Sequence, residues 1–144
     1  MKLDSLKTKL EFDFVYKNAK KFFYKHFILY ALRISHHQPP HFRDKKILQS
    51  IQSRKAAIYL GFSISRKIGK ANKRNLLKRR IKAIVYENSA HYEGLIFIFV
   101  AKDGATSLAF PMLKRDVLSA FTRAYDMLCF PSQKSSLKKR YECY

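Results

Sequence analysis

Residues 56–88 read AAIYLGFSISRKIGKANKRNLLKRRIKAIVYEN. In the first ten, Ile58, Leu60, Phe62 and Ile64 alternate with Ala57, Tyr59, Gly61, Ser63 and Ser65, the period of a β-strand. The apolar set calls for a core. The other set is small and partly polar, and is expected to form an open face low enough for a phosphate backbone to approach. Gly69 then punctuates, and residues 71–88 take up a helical period. Leu77, Ile81, Ile84, Val85 and Asn88 fall on one side of that helix, while Asn75, Lys78, Arg79 and Lys82 spread over the adjoining and opposite sides. A strand therefore leads into a helix that is aliphatic beneath and cationic above.

Working outward, residues 95–101 (LIFIFVA) show no alternation and are expected to form a strand buried on both faces. Residues 112–128 carry Leu113, Val117, Phe121, Ala124 and Leu128 at helical spacing, which predicts a core-packed helix. Upstream, residues 26–34 (HFILYALRI) are rich enough in β-branched and aromatic types for a strand. Residues 5–18 read as a short helix with two apolar rows, Leu6, Leu10 and Phe14 on one side and Phe12 and Tyr16 roughly opposite. Only one row can enter a core; the other must meet something else or stay in solvent. Residues 35–55, with Pro39-Pro40 and three His, read as a long loop insertion with at most a helical turn at Ile47–Ile51. Residues 131–144 read as a basic flexible tail. The order helix, strands, basic helix, strand, helix predicts an α+β single-domain sandwich over residues 1–130, in which helices pack on a small mixed sheet of about four strands.

Composition narrows the partner. The chain has 144 residues, 47% of them hydrophobic, which is too apolar for a disordered tail and long enough for one core. Thirty Lys and Arg against ten Asp and Glu leave a formal charge of +20. From Lys45 to Tyr86 there is no acidic residue at all, while thirteen Lys and Arg fall in that stretch. A solvated charged face normally mixes both signs; one sign alone calls for a polyanion to relieve its self-repulsion. The longest apolar run, Leu95 to Ala101, is far below the roughly 18 residues of a membrane span. The opening MKLDSLKTKL lacks the apolar stretch of an export signal, so a cytoplasmic protein is expected.

Catalytic patterns are wanting. Gly61-Phe-Ser63-Ile-Ser65 lacks the second glycine of a nucleophile elbow. Gly69-Lys70 lacks the first glycine and the hydroxyl residue of a phosphate loop, with Ile64 and Ala71 in those places. His36, His37 and His41 cannot be aligned on a helix across Pro39-Pro40, and no CxxC is present, so no metal site is expected. No pair of carboxylates is evident for acid–base work, and neither a catalytic residue nor a small-molecule substrate is expected. The basic helix, by contrast, has clear chemistry. Its stripe docks it and fixes its charges: Arg74 and Arg79 offer guanidinium forks to phosphates, Lys78 and Lys82 act as mobile charges, and Asn75 can donate to phosphate or 2′-hydroxyl oxygens. Such contacts release counterions and make affinity steeply salt-dependent.

The run Gly61-Phe-Ser-Ile-Ser-Arg-Lys-Ile-Gly-Lys-Ala71 with Lys73-Arg-Asn-Leu-Leu-Lys-Arg-Arg80 resembles the signature of the bacterial ribonuclease P protein subunit. The stretch LKTKLEFDFVYKNAKKFFYKHFILYAL resembles that family's opening helix and first strand, and the resemblance covers about residues 3–128. It implies a partner RNA that holds the catalytic centre and uses Mg²⁺, with the protein binding that RNA and the 5′ leader of precursor tRNA. It implies RNA contacts at Arg66, Lys67, Lys70, Lys73, Arg74, Asn75, Lys78, Arg79, Arg80 and Lys82, and a leader cleft at Phe12, Tyr16 and Tyr30. It also implies a left-handed strand–helix–strand crossover around the basic helix, which general chain physics would make right-handed. One departure stands out: the family usually shows Arg-Asn-Arg where this chain has Arg74-Asn75-Leu76. The rival reading is a structural RNA-binding protein of ribosomal type, which shares the basic helix but needs no leader cleft.

Overall fold

The computed structural model describes residues 3–34 and 41–130. Five strands, β1 (Leu3–Ser5), β2 (Lys20–Phe23), β3 (Phe27–Arg33), β4 (Ile58–Ser63) and β5 (Leu95–Ala101), form one mixed sheet in the order β1-β4-β5-β3-β2. β4 is parallel to both β1 and β5, whereas β3 is antiparallel to β5 and β2 to β3. Four helices, α1 (Lys9–Asn18), α2 (Phe42–Gln52), α3 (Ala71–Glu87) and α4 (Phe110–Cys129), complete the chain.

Successive strand residues point to opposite faces, so the register sorts the core into two layers. On one face Ile58, Leu60, Leu95, Phe97, Phe99 and Leu29 pack with Leu77, Ile81, Ile84 and Val85 of α3 and with Leu113, Val117 and Phe121 of α4. On the other, Tyr59, Ile96, Ile98 and Leu32 pack with Phe14 and Val15 of α1 and Leu48 and Ile51 of α2. β5 lies between the layers, which is why its sequence has no polar alternation. Phe97 is fully buried with its ring centroid 4.3 Å from that of Phe121, and truncating it to Ala would cost about 3–5 kcal/mol.

The sheet departs from expectation at its edges. It has five strands rather than about four. The helix expected from residue 5 starts only at Lys9, and Leu3–Ser5 instead pair with Ile58–Leu60. There Thr8 caps it, its hydroxyl accepting from the Glu11 amide at 3.2 Å. Lys20–Phe23 form the outer strand of a hairpin with β3. Residues 42–52 are helix α2 rather than loop, because Leu48 and Ile51 bury themselves against α1 and the first-turn Asp44 accepts from the Lys17 ammonium at 3.2 Å. The face of β4 expected to be open is largely covered: Tyr59 is buried, and Gly61 lies beneath the Phe12 ring. Residues 35–40 of the expected loop and the tail at 131–144 lie outside the described residues.

Candidate nucleic-acid interface

α3 owes its position to its buried stripe, Leu77, Ile81, Ile84 and Val85. Asn88 ends it, donating through Nδ2 to the Ile84 carbonyl at 2.8 Å. With that side pressed onto the sheet, the basic residues face outward. Arg66, Lys67, Lys70, Lys73, Asn75, Arg79 and Lys82 are exposed; Arg74, Lys78 and Arg80 are half-buried. None of these cations pairs with a carboxylate among the described residues, where the ion pairs involve Lys17, Arg54, Lys114 and Arg115. Three are held by other means. Arg74 donates through Nε to the Gly69 carbonyl at 3.1 Å, the Arg80 guanidinium lies 5.6 Å from the Phe110 ring centroid, and the Lys82 ammonium lies 5.9 Å from that of Phe62. The lead-in is pinned as well: the Thr106 hydroxyl donates to the Ile68 carbonyl, and a Cβ at residue 69 would stand 3.1 Å from that hydroxyl. The result is a pre-positioned cationic ridge whose charge is left for an external anion.

The aromatic residues assigned to the cleft also come together, on the other face of the sheet. Phe12 and Tyr16 lie one turn apart on α1 with ring centroids at 6.3 Å, and Tyr16 meets Tyr30 of β3 edge-on at 4.8 Å. All three are half-buried and abut the second core layer. The two-row reading of α1 needs revision, however. Phe14 enters the core together with Val15 and Glu11, whereas Leu10 stays 48% exposed and Leu6 is buried from outside the helix. α1 begins only at Lys9, so Leu6 never belonged to a helical row, and Leu10 sits in the first turn, where the helix leaves it in solvent.

Register adds a floor to this strip. Tyr30, Ile98 and Gly61 form one row across the sheet, and Ile28, Val100 and Ser63 form the next. Ile28, Val100 and Ser63 are only half-buried, so the row beyond α1 remains accessible. At its edge stand Phe23, which pairs with Ile28 and is 52% exposed, and Lys102, whose ammonium lies 5.9 Å from the Phe23 ring. These residues together form an aromatic wall over a partly apolar floor with cations at the rim, the composition on which single-stranded bases stack.

A family profile described as Ribonuclease P matches residues 1–125. The chain belongs to the ribonuclease P protein family. It is 52% identical over 126 residues to the ribonuclease P protein component of Helicobacter hepaticus, covering 87% of this chain and 86% of that protein. Over 122 residues it is 36% identical to the component from Helicobacter pylori strain P12, covering 83% and 75%. In fold it resembles the ribonuclease P proteins of Staphylococcus aureus (TM-score 0.64, 19% identity, 83% and 93% covered) and Thermotoga maritima (TM-score 0.63, 18% identity, 83% and 96% covered).

In this ribonuclease P protein the floor residues Phe23, Ile28 and Val100 escaped sequence reading, whereas Ser63 was expected on the open face of its strand and is half-buried there. Their signal was the pairing of β2, β3, β5 and β4 in one register, which no local pattern reveals. Also missed was the clamp beneath α1. Arg54 donates to both Glu11 carboxylate oxygens, at 2.8 and 3.0 Å, and lies 3.4 Å from Asp4 Oδ2, so it ties the end of α2 to α1 and β1. Burial pushes the Glu11 carboxyl up, but the Arg54 guanidinium and the amides of Lys7 and Thr8 outweigh it and hold the group below its ordinary value. Among the described residues, no three His, Cys, Asp or Glu side chains gather as a metal site, and no helix is long and apolar enough to cross a membrane.

Proposed function

We propose that this chain is the protein component of the ribonuclease P ribonucleoprotein, acting in the cytoplasm to promote endonucleolytic removal of the 5′ leader from precursor tRNA. The RNA subunit carries the catalytic centre and works with Mg²⁺; the protein contributes no acid, base or nucleophile. Its work is binding, and the observation that carries this reading is the separation of two binding chemistries onto opposite faces of one sheet. The α3 ridge, with Arg66 and Lys67 before it, neutralises phosphates of the RNA subunit. The strip of Phe12, Tyr16 and Tyr30 stacks the unpaired leader.

The consequence for catalysis is differential affinity. Two large polyanions repel, and a cation ridge lowers that cost for precursor and mature tRNA alike. Stacking at the strip, worth about 1–3 kcal/mol per base, is available only while the leader is attached. Precursor is therefore held more tightly than product, and cleavage itself removes the extra hold.

Reconstitution with the cognate RNA at low Mg²⁺ tests the reading: the protein should raise both cleavage and precursor affinity, and no change in either would overturn it. Phe12→Ala and Tyr16→Ala separate it from a ribosomal-type structural role. Each should lower the preference for precursor over mature tRNA while leaving the thermal midpoint within a few degrees. Equal losses for both RNAs would favour the structural role.

A further inference from the structure

α2 presents a face that neither core layer uses. Phe42 is 72% exposed, more than any other large apolar side chain described, and the Lys46 ammonium lies 5.2 Å from its ring centroid. Arg43, Lys45 and Lys46 are exposed beside it. The one acidic residue of α2, Asp44, is buried and already engaged by Lys17. Asp13 of α1 lines the groove next to Arg43 but forms no ion pair with it. An exposed ring flanked by three cations that pair with no carboxylate among the described residues is suited to one kind of occupant, a nucleic-acid strand whose base covers the ring and whose phosphates meet the charges.

Position identifies which strand. α1 and α2 run antiparallel, since Lys17 meets Asp44 at one end and Glu11 meets Arg54 at the other. The start of α2 therefore lies beside the end of α1, where Tyr16 meets Tyr30. At that same end the Lys21 ammonium sits 5.6 Å from the Tyr30 ring centroid. A single strand leaving the aromatic strip past Tyr30 and Lys21 would round the end of α1 to Arg43, which lines a groove with Lys17, and to Phe42, with Lys46 further along beside Leu10 and Glu11. The cationic ridge of α3 packs on the opposite sheet face and does not serve this path.

We propose that Phe42, Arg43, Lys45 and Lys46 extend the leader path, binding leader nucleotides that run beyond the Phe12–Tyr16–Tyr30 strip. This rests on the leader-binding reading given above. It gives α2 a role distinct from bracing α1: longer leaders gain a second set of contacts.

The experiment is a leader-length series. Precursor tRNAs with progressively longer leaders, and mature tRNA, are titrated with holoenzyme carrying the unchanged protein, Phe42→Ala, or the triple variant R43Q/K45Q/K46Q. The unchanged protein should show two rises in affinity, one as the leader fills the strip and another as it reaches α2. Both variants should keep the first and lose the second, about tenfold for the longest leaders. The triple variant should also lower the log–log salt slope for long leaders by about two. Identical length series for all three proteins would overturn the proposal. So would a loss equal at every length and for mature tRNA, which would place the patch against the tRNA body or the RNA subunit. If affinity ignored leader length even with the unchanged protein, and Phe12→Ala had no effect, the leader reading itself would fall.

Discussion

The Phe12 ring occupies the space a side chain at Gly61 would need: a Cβ there would stand 2.8 Å from Phe12 Cε1 and 2.9 Å from Cζ. The glycine is thus required by the aromatic wall above it rather than by its own backbone. Gly61→Ala should push the ring tip aside at a stability cost of about 1–3 kcal/mol, because a ring edge yields more readily than backbone. The preference for precursor over mature tRNA should fall toward that of Phe12→Ala. Paired titrations and a thermal melt check this; unchanged preference would show that the ring's position does not matter to the leader.

Removing charge from α3 should weaken RNA binding without weakening the fold. In R74Q/K78Q/R79Q/K82Q four cations that pair with no carboxylate among the described residues are lost while Leu77, Ile81, Ile84 and Val85 stay in place. Relief of self-repulsion should hold the thermal midpoint level or raise it. Affinity for the RNA subunit should drop, with a log–log salt slope shallower by roughly three to four. Titration over a salt series reads both the affinity and the slope.

Leu76 can be tested by adding what the family pattern has there. It lies on α3, 37% exposed, and belongs to neither core layer. Leu76→Arg restores the Arg-Asn-Arg pattern and should tighten binding of the RNA subunit, steepening the salt slope by about one, at a stability change within about 0.5 kcal/mol. An unchanged slope would mean that Lys73 and Arg80 already fill that role.

Arg54→Met should destabilise by about 3–5 kcal/mol near neutral pH, since it strands the Glu11 carboxylate where only 4% of the residue is exposed. The pH dependence should weaken. In the native protein Glu11 titrates below its ordinary value of 4.5, so its stabilisation is present above that value and is lost as pH falls through the depressed one. Without Arg54 the Glu11 carboxyl keeps its burial and the Lys7 and Thr8 amides but loses its guanidinium partner, so its pKa should rise and the variant should lose less stability than the native protein as pH falls. Denaturant melts across the acidic range should show the gap between the two proteins closing.

Helix α3 and strand β5 were legible because their burial is dictated locally; of β4 the strand and its Ile58–Leu60 core side were legible, but not the covering of its other face at Tyr59 and Gly61. A stripe at helical spacing and an unbroken apolar run each permit one placement. The strip of Phe12, Tyr16 and Tyr30 was reached through resemblance, since wheel geometry alone left open which of the two apolar rows of α1 enters the core. What escaped was nonlocal. β1 has only three residues, and its partner Ile58 lies far along the chain. β2 carries two lysines suited to a sheet edge, and its turn at Tyr24–His26 contains neither Gly nor Asn to announce a hairpin. In α2 the proline pair just upstream masked the spacing of Ile47, Leu48 and Ile51. The Arg54–Glu11 clamp joins residues whose sequence neighbourhoods give no sign of each other.

The parallel pairing of Leu3–Ser5 with Ile58–Leu60 sets an order on assembly. During synthesis the first strand to emerge has no partner until β4 has followed it, and β4 gains its second neighbour only when β5 arrives after α3. The amino-terminal segment must wait unpaired while the middle of the chain is made, so closure of that sheet edge is a late, long-range event in the birth of the molecule.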